Sequence, residues 1–278
     1  MTVLLALLAA FSNAVVMLTQ HVASVAAPDG AKGLRLVRYL VRSPLWLLGW
    51  VALIGAFVFQ ALALHVGDLS VVQPLLVVEL VFALALRRLW LRQPTAKAAW
   101  GSAVLTCVGL GVFIAMAEPQ GGGTTPTSAH WVVAVVACGG AAVALSLLAA
   151  AGPPVRRAAL YGTASAAVWA LEATFIKAAT DTITGFGLWG AFEHWPLYAM
   201  AVGGAVGTVL QQAALHVGPL SVSQPLMVIV DPMVSIWLGV WLFREHFATD
   251  AATLAVATLA FAAMAAGVIA LVRTAPGT

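Results

Sequence analysis

The stretch QALALHVGDLSVVQPL at residues 60–75 returns almost unchanged as QQAALHVGPLSVSQPL at residues 211–226. The shared residues include Gln, His, Gly, Ser and Pro, which chance does not align in a chain of interchangeable apolar residues. Each copy has the pattern of one helix end, a glycine link and the start of a second helix. The sequence therefore predicts two related halves: a first repeat at 1–128, and at 129–278 a linking helix followed by the second repeat.

The composition predicts the environment of these halves. The chain is 62% apolar and only 8% charged, whereas a soluble domain is about 25% charged. Apolar runs of about 20 residues recur throughout, and each can span roughly 30 Å of hydrocarbon as a helix. We expect an all-α integral membrane protein with about nine transmembrane helices. The predicted spans are 3–24, 45–66, 70–89, 98–117, 130–151, 158–178, 194–216, 221–243 and 251–272.

Basic residues predict how these helices are oriented. All Lys and Arg except Lys177 and Arg244 lie on one side of the predicted spans. By the positive-inside rule, the links 25–44, 88–97 and 152–157 are then cytoplasmic. The N-terminus is expected outside and the C-terminus inside, in a plasma or inner membrane. The first span has no Lys or Arg before it, so we expect a retained helix rather than a cleaved signal peptide.

Two further links between spans have a composition that bears on their structure. Arg35, Arg38 and Arg42 have helical spacing, which fits either a short basic helix on the anionic leaflet or a solvated loop. The glycine-rich stretch 118–129 is expected to be an outside loop.

This orientation inverts the two copies of the repeat. The link of the first copy falls outside, and the link of the second falls inside. Inverted repeats are a common construction of secondary transporters, in which the two halves exchange conformations to open a cavity to either face. The sequence therefore favours a transporter that moves a small solute or ion by alternating access.

The links themselves suggest local geometry. Gly67 and Gly218 are expected to end a helix in a left-handed cap, because glycine adopts that conformation readily. Ser70 and Ser221 are expected to cap the helix that follows.

Prolines follow each link by one turn. Pro74 and Pro225 are expected to break or bend their helices. Gln73 and Gln224, directly before them, are candidates to bond either freed backbone groups or a substrate. A hairpin without any ligand role is the alternative.

Three acids lie inside predicted spans: Glu79, Glu172 and Asp231. Charges within a membrane are expensive and mark functional sites. Asp231 directly precedes Pro232, which is expected to break the helix and free a carbonyl group beside the carboxylate. Gln224 lies seven residues earlier, and therefore on the same helix face.

The two glutamates have less certain settings. Glu79 is turned by about 120° from Gln73 on an ideal helix, so its access to a cavity is left open. Glu172 has Trp169 one turn before it, and an aromatic ring beside an acid suits a cation.

Further polar residues complete the candidate pathway. Gln60 and Gln211 occupy equivalent positions in the repeat and are expected to donate hydrogen bonds into a cavity. Lys177 is expected either to pair with Asp181, four residues on, or to be a helix-end lysine whose ammonium group extends to the membrane surface. His65 lies at a helix end, where imidazole interacts favourably with the dipole.

The whole layout resembles the drug/metabolite transporter superfamily, with its EamA-like fold. The resemblance rests on the two Gly-x-Leu-Ser-Val-x-Gln-Pro-Leu hairpins, the basic first link and the PPVRR link at 153–157. Within the superfamily the layout is similar to the NIPA-like branch, described as magnesium transporters. The resemblance implies a transporter, with Mg²⁺ as one cargo.

Two departures from the family pattern weaken any transfer of substrate. The acid-containing end Phe243-Arg244-Glu245 has no acid in its first-half counterpart Leu91-Arg92-Gln93. The span-end Lys177 has Gln20-His21 as its counterpart in the first half.

Three functions remain open. The first is divalent cation transport, for which Asp231, Glu79 and Glu172 would supply oxygen ligands. The second is transport of a small organic solute, with glutamines and aromatic rings lining the cavity. The third is a membrane scaffold. Convergence of the three acids would favour a cation.

No enzyme activity, cofactor or nucleic-acid partner is expected. Cys107 and Cys138 lack metal-ligand spacing and are expected to be core residues. The lipid bilayer is the expected partner, and a homodimer is one assembly that the sequence leaves open.

Overall fold

The structure is a computed structural model that describes residues 1–25, 42–92, 94–117, 126–247 and 250–274. These ranges form α-helices and no β-strand. The helices are α1 (Thr2–Val25), α2 (Pro44–Val66), α3 (Leu69–Leu76), α4 (Glu79–Leu89), α5 (Lys97–Ala117), α6 (Ser128–Leu148), α7 (Pro154–Gly190), α8 (Trp195–Val217), α9 (Leu220–Phe243) and α10 (Ala251–Thr274). The predicted basic segment 35–42, apart from its last residue, and most of the loop 118–129 lie outside the described residues.

The predicted apolar runs are helical. Eight spans, with α3 and α4 counted as one, are long and apolar enough to cross a membrane. The predicted seventh span forms α8, a helix of 23 residues that is not among these eight. Glycines and the Gln211–Gln212 pair lower its hydropathy.

Large apolar side chains cover the outside of the helices. Val51 is 67% exposed, Ile54 is 63% exposed and Leu259 is 70% exposed. Soluble monomers rarely leave so much contiguous apolar surface in water. This surface fits contact with lipid chains, which do not require polar groups at the protein boundary.

The helix α7 is much longer than its predicted span of 158–178. It runs for 37 residues, about 55 Å at 1.5 Å per residue. About 20 residues suffice to cross the hydrocarbon, so the helix continues beyond it. No proline interrupts the chain between Pro154 and Pro196, and Gly187, with a φ of 74°, marks a kink near the end of the helix.

Prolines act differently in the two copies of the repeat. The helix that contains Pro74 ends at Leu76, and a tight turn at Val77 and Val78 leads into α4. In contrast, α9 has helical backbone through both Pro225 and Pro232. The expected breaks at these two residues are absent, because a proline removes one donor but its fixed φ still fits a helix.

The links do not have the predicted caps. Gly67 has a φ of −145° and Gly218 a φ of −166°, so both are extended rather than left-handed. These glycines instead allow close packing. A Cβ atom on Gly67 would collide with the Thr2 side chain, and one on Gly218 with the Pro154 carbonyl oxygen.

The N-caps of the following helices also differ from prediction. Asp68 is the N-cap residue of α3, and Pro219 is that of α9. Ser70 lies inside α3, where its hydroxyl group donates to Glu245 instead of capping the helix. The cap expected at Ser221 is likewise displaced to the residue two positions earlier.

The two links lie at opposite ends of α7. The Gly67 carbonyl oxygen accepts a hydrogen bond from Lys177, 2.7 Å away, in the later part of the helix. Gly218 packs against Pro154 and Ala158 in its first turns. The helix between Ala158 and Lys177 is about 29 Å long, close to the thickness of the hydrocarbon.

The helices pack in matched pairs. α1 packs along α2, and α7 packs along α8, each through extensive contacts. α5 packs along α10, and α3 crosses α9. The α5–α10 seam is close, because Gly109 lies against the backbone of Ala260 and Met264, and Gly267 lies against Thr106.

Candidate functional site

Asp231 interacts with each of the other two intramembrane acids through their charges. This residue of α9 interacts electrostatically with Glu172 of α7 and with Glu79 of α4. Ser235, one turn further along α9, donates a hydrogen bond of 3.2 Å to the Asp231 Oδ1 atom. We refer to Glu79, Glu172 and Asp231 as the acid trio. The sequence left the direction of both glutamates open, and the fold brings them together.

The turn between α3 and α4 positions Glu79. Glu79 is the first residue of α4, directly after the turn at Val77 and Val78. Its angular relation to Gln73 on an ideal helix therefore no longer applies. The N–H groups of Leu80 and Phe82 bond to Val77 and Val78, so the helical backbone continues through the turn. The Asn13 side chain of α1 adds a hydrogen bond to Glu79.

Two glycines of α8 position Glu172. Gly203 lies against its side chain, because a Cβ atom added to Gly203 would be only 3.2 Å from the Glu172 Cγ atom. Gly207, one turn on, lies against Trp169, because a Cβ atom added to Gly207 would be 3.0 Å from the Trp169 ring. Glu172 and Trp169 therefore share a face of α7, as predicted, and this face is packed onto α8.

The glycine spacing in α8 is a sequence signal for this packing that the predicted site did not include. Residues 203–207 read Gly-Gly-Ala-Val-Gly, a small-xxx-small pattern that lets membrane helices approach closely. It marks the face of α8 that meets Glu172.

The electrostatics of the acid trio restrict its chemistry. The interactions that the structure describes for these carboxyl groups are with Asn13, Ser235 and one another. An isolated ionised carboxylate is strongly unfavourable in a low-dielectric interior. Three neighbouring carboxyl groups can be ionised together only if a cation balances them, and otherwise they bind protons.

The acid trio is not a closed metal cage. Over the described ranges, no group of three or more His, Cys, Asp or Glu side chains is close enough to hold a metal ion. Mg²⁺ keeps several of its waters and commonly uses only one or two carboxylates. The arrangement therefore suits a hydrated ion or a proton better than a fully coordinated metal.

The four predicted glutamines differ in how far they are buried in the protein. Gln73 is only 3% exposed, and its Nε2 atom is buried without a hydrogen-bond partner in the described part of the chain. Buried donors are normally paired, so this amide lacks the partner that such a group usually has. Gln60, Gln211 and Gln224 are half-buried, and their roles stay predictions.

Lys177 does not pair with Asp181. Its Nζ atom donates to the carbonyl oxygens of Leu64 and Gly67, at 2.5 and 2.7 Å. Asp181 instead contacts His65, with 2.7 Å between Oδ1 and Nδ1. The prediction was wrong because α2 ends beside Lys177 and offers unpaired carbonyl groups, which are closer acceptors than an exposed carboxylate one turn away.

Glu245 is a functional candidate that the sequence analysis did not include among the predicted site residues. The carboxylate accepts hydrogen bonds from the backbone N–H groups of Leu69, at 2.7 Å, and Ser70, at 3.0 Å. It also accepts one from the Ser70 hydroxyl group. The sequence signal that could have identified Glu245 is its place as an acid directly after a predicted span. Such an acid can accept hydrogen bonds from the free N–H groups at the start of another helix.

The apolar helices and the exposed apolar surface define the chain as an all-α, multi-pass membrane protein. The chain is similar to an uncharacterized protein of Corynebacterium glutamicum, with 28% identity over 250 residues, which cover 89% of this chain and 86% of the relative. No family profile matches the chain. No solved structure matches it either.

Proposed function

We propose that this protein is a membrane transporter for a small solute or ion, that it works by alternating access, and that the acid trio binds a cation during the cycle. The cation is either the cargo or a coupling proton. The observation that carries the proposal is the convergence of Glu79 and Glu172 on Asp231. Three acids in one intramembrane region are expensive, and charge recognition is the usual reason for keeping them.

The helix packing supports two inverted halves. The pairs α1–α2 and α7–α8 correspond to each other in the repeat, while α5–α10 and α3–α9 each pair one half with the other. The two links lie at opposite ends of α7. This is the arrangement expected for halves related by an axis in the membrane plane.

The ends of two corresponding helices support the repeat further. Arg92 follows α4 and Arg244 follows α9, and each has a φ of 53°. The left-handed conformation is uncommon for residues other than glycine, so its presence at matching positions favours a common origin. On this proposal α8 is the ninth span, and the chain belongs to the drug/metabolite transporter superfamily.

The proposed orientation follows from the basic residues. The N-terminus lies outside a plasma or inner membrane and the C-terminus lies in the cytoplasm. The Gly67 link then faces outside and the Gly218 link faces the cytoplasm. A divalent cation such as Mg²⁺, as in the NIPA-like branch, is one cargo that suits the acid trio.

A second candidate cargo is a small organic solute moved together with protons. The observation in its favour is the buried, unpaired Nε2 atom of Gln73. A solute with a hydrogen-bond acceptor would satisfy this donor, which neither a proton nor a bare metal ion does. On this alternative, the acid trio carries the coupling proton.

Flux measurements in proteoliposomes test the proposal. Purified protein is compared with protein-free vesicles for uptake of Mg²⁺, an organic cation and a panel of neutral and anionic metabolites, each with and without a proton gradient. We expect saturable uptake of a cation, or proton-coupled uptake of a metabolite. Uptake equal to protein-free vesicles for every solute and both gradients would leave the scaffold as the better explanation.

We expect Glu172→Gln to lower this uptake about 10- to 100-fold, as for the loss of a hydrogen-bonded charge contact. The matched control is Glu193→Gln, which removes the same charge at an exposed site after α7. Equal losses in both variants would contradict a specific role for Glu172.

A further inference from the structure

One link is held by two buried or half-buried charges of the other half. The Lys177 Nζ atom donates to the Leu64 and Gly67 carbonyl oxygens at the end of α2. The Glu245 carboxylate accepts from the first N–H groups of α3 and from the Ser70 hydroxyl group. We call Lys177 and Glu245 the clamp. Each charge has the sign that the adjacent helix end favours.

The clamp joins the two halves of the repeat. Lys177 belongs to α7, and Glu245 follows α9, whereas the link belongs to the first half. The close packing around Glu245 leaves it 2% exposed. A Cβ atom on Gly239 would collide with the carboxylate and with Ser70. The carboxylate therefore has one well-defined place.

An aromatic cluster supports Lys177. Its ammonium group lies 5.4 Å from the centre of the Phe243 ring. Trp131 of α6 packs against Phe243, and also against Phe175, with ring centres 6.2 and 5.7 Å apart. The ring attracts the ammonium group electrostatically, and the same group still donates its hydrogen bonds to the Leu64 and Gly67 carbonyl oxygens. These contacts pack α6, α7 and α9 against one another beside Lys177.

Asp68 adds a second acid beside the clamp. It interacts with both Lys177 and Glu245. Burial raises the pKa of Glu245, while the hydrogen bonds from Ser70 and Leu69 act in the opposite direction. These three hydrogen bonds are what compensate a carboxylate in so buried a place.

The first half has no charges at the matching positions of the sequence. The ends of the comparable spans of the first half read Leu91-Arg92-Gln93, without an acid, and Gln20-His21, without a lysine. Gln93 lies outside the described residues, so the comparison is one of sequence alone. The sequence therefore provides no first-half counterpart of the Lys177–Glu245 pair.

We propose that Lys177 and Glu245 are gating residues that hold the face with the Gly67–Asp68 link closed, and that this face is the one shut in the resting protein. The inference rests on the proposed function, since a gate has a role only in a transport cycle. Opening this face separates both charges from the helix ends that they cover.

Distance measurements between spin labels test the clamp without requiring transport. Cys107 and Cys138 are replaced by Ser and Ala, and labels are attached at Val66→Cys and His246→Cys, two exposed positions on either side of the clamp. We expect a single short distance in the otherwise native protein. Glu245→Gln is expected to raise the long-distance population about 10- to 100-fold, because glutamine offers one acceptor where two backbone donors and a hydroxyl group need partners.

Two further variants keep the result interpretable. Lys177→Met is expected to open the same face, and Ser70→Ala, which removes only the hydroxyl contact, is a milder variant should the others fail to fold. Glu193→Gln removes an exposed carboxylate beyond the same end of α7 and is expected to leave the distances unchanged. Unchanged distances in Glu245→Gln and Ser70→Ala would overturn the clamp. Opening in Glu245→Gln without flux of any solute in wild type would support the clamp and contradict the proposed function.

Discussion

Replacing Asp231 by asparagine is expected to reduce transport about 100-fold or more. Asparagine has the same shape and can still accept the hydrogen bond from Ser235, so the fold of α9 is retained. The change removes the central charge of the acid trio, and with it the interactions with Glu79 and Glu172. Losing one charge-assisted contact weakens binding about 10- to 100-fold, and a lost proton or cation site also stops the coupled cycle.

The measurement is initial uptake into proteoliposomes, with protein amount and vesicle size matched to wild type. Asp250→Asn is the control, because Asp250 caps α10 at its exposed start through a 2.8 Å bond from the Thr253 N–H group, and asparagine caps equally well. Native uptake by Asp231→Asn for every transported solute would remove Asp231 from the site.

The second large effect is expected from Gly109→Val, which should prevent α5 and α10 from packing. A Cβ atom on Gly109 would lie 2.8 Å from the Ala260 carbonyl oxygen and 2.9 Å from the Met264 Cα atom. Backbone atoms cannot rotate away, so the helices must separate. Overpacking of this kind destabilises proteins by about 1–3 kcal/mol, occasionally more.

Thermal unfolding of the detergent-solubilised protein measures the effect. Gly111→Val provides the control on the same helix, because no atom lies within 4 Å of the place where its Cβ would be. The two substitutions have equal helix propensities, so a difference in melting temperature reports the seam alone. Equal melting temperatures would show that the α5–α10 contact is not close in the native protein.

The apolar runs and the repeat predicted the helices well, because both depend on residues close together in sequence. The Gln-Pro hairpins gave the positions of the two links within a residue or two. The placement of Glu79, Glu172 and Asp231 within apolar spans was also predictable from their neighbours in sequence. Which of them meet was not, because that depends on the rotation of three helices.

Two of the errors share one cause. The left-handed caps at Gly67 and Gly218 follow a local rule, but the structure uses both glycines to admit a neighbouring helix. The Lys177–Asp181 pair follows the spacing within one helix, but the end of α2 provides the better acceptors. Contacts between distant segments outweighed local preferences in each case, and a single sequence does not contain those contacts directly.

The length of α7 has a mechanical consequence. One continuous rod touches the Gly218 link through its first turns and the Gly67 link through Lys177. If the rod tilts about a point between these two contacts, one end moves toward its link as the other moves away. The two faces of the protein are then coupled in opposite senses by a single helix. Because this helix also carries Glu172, a cation bound there would affect both faces.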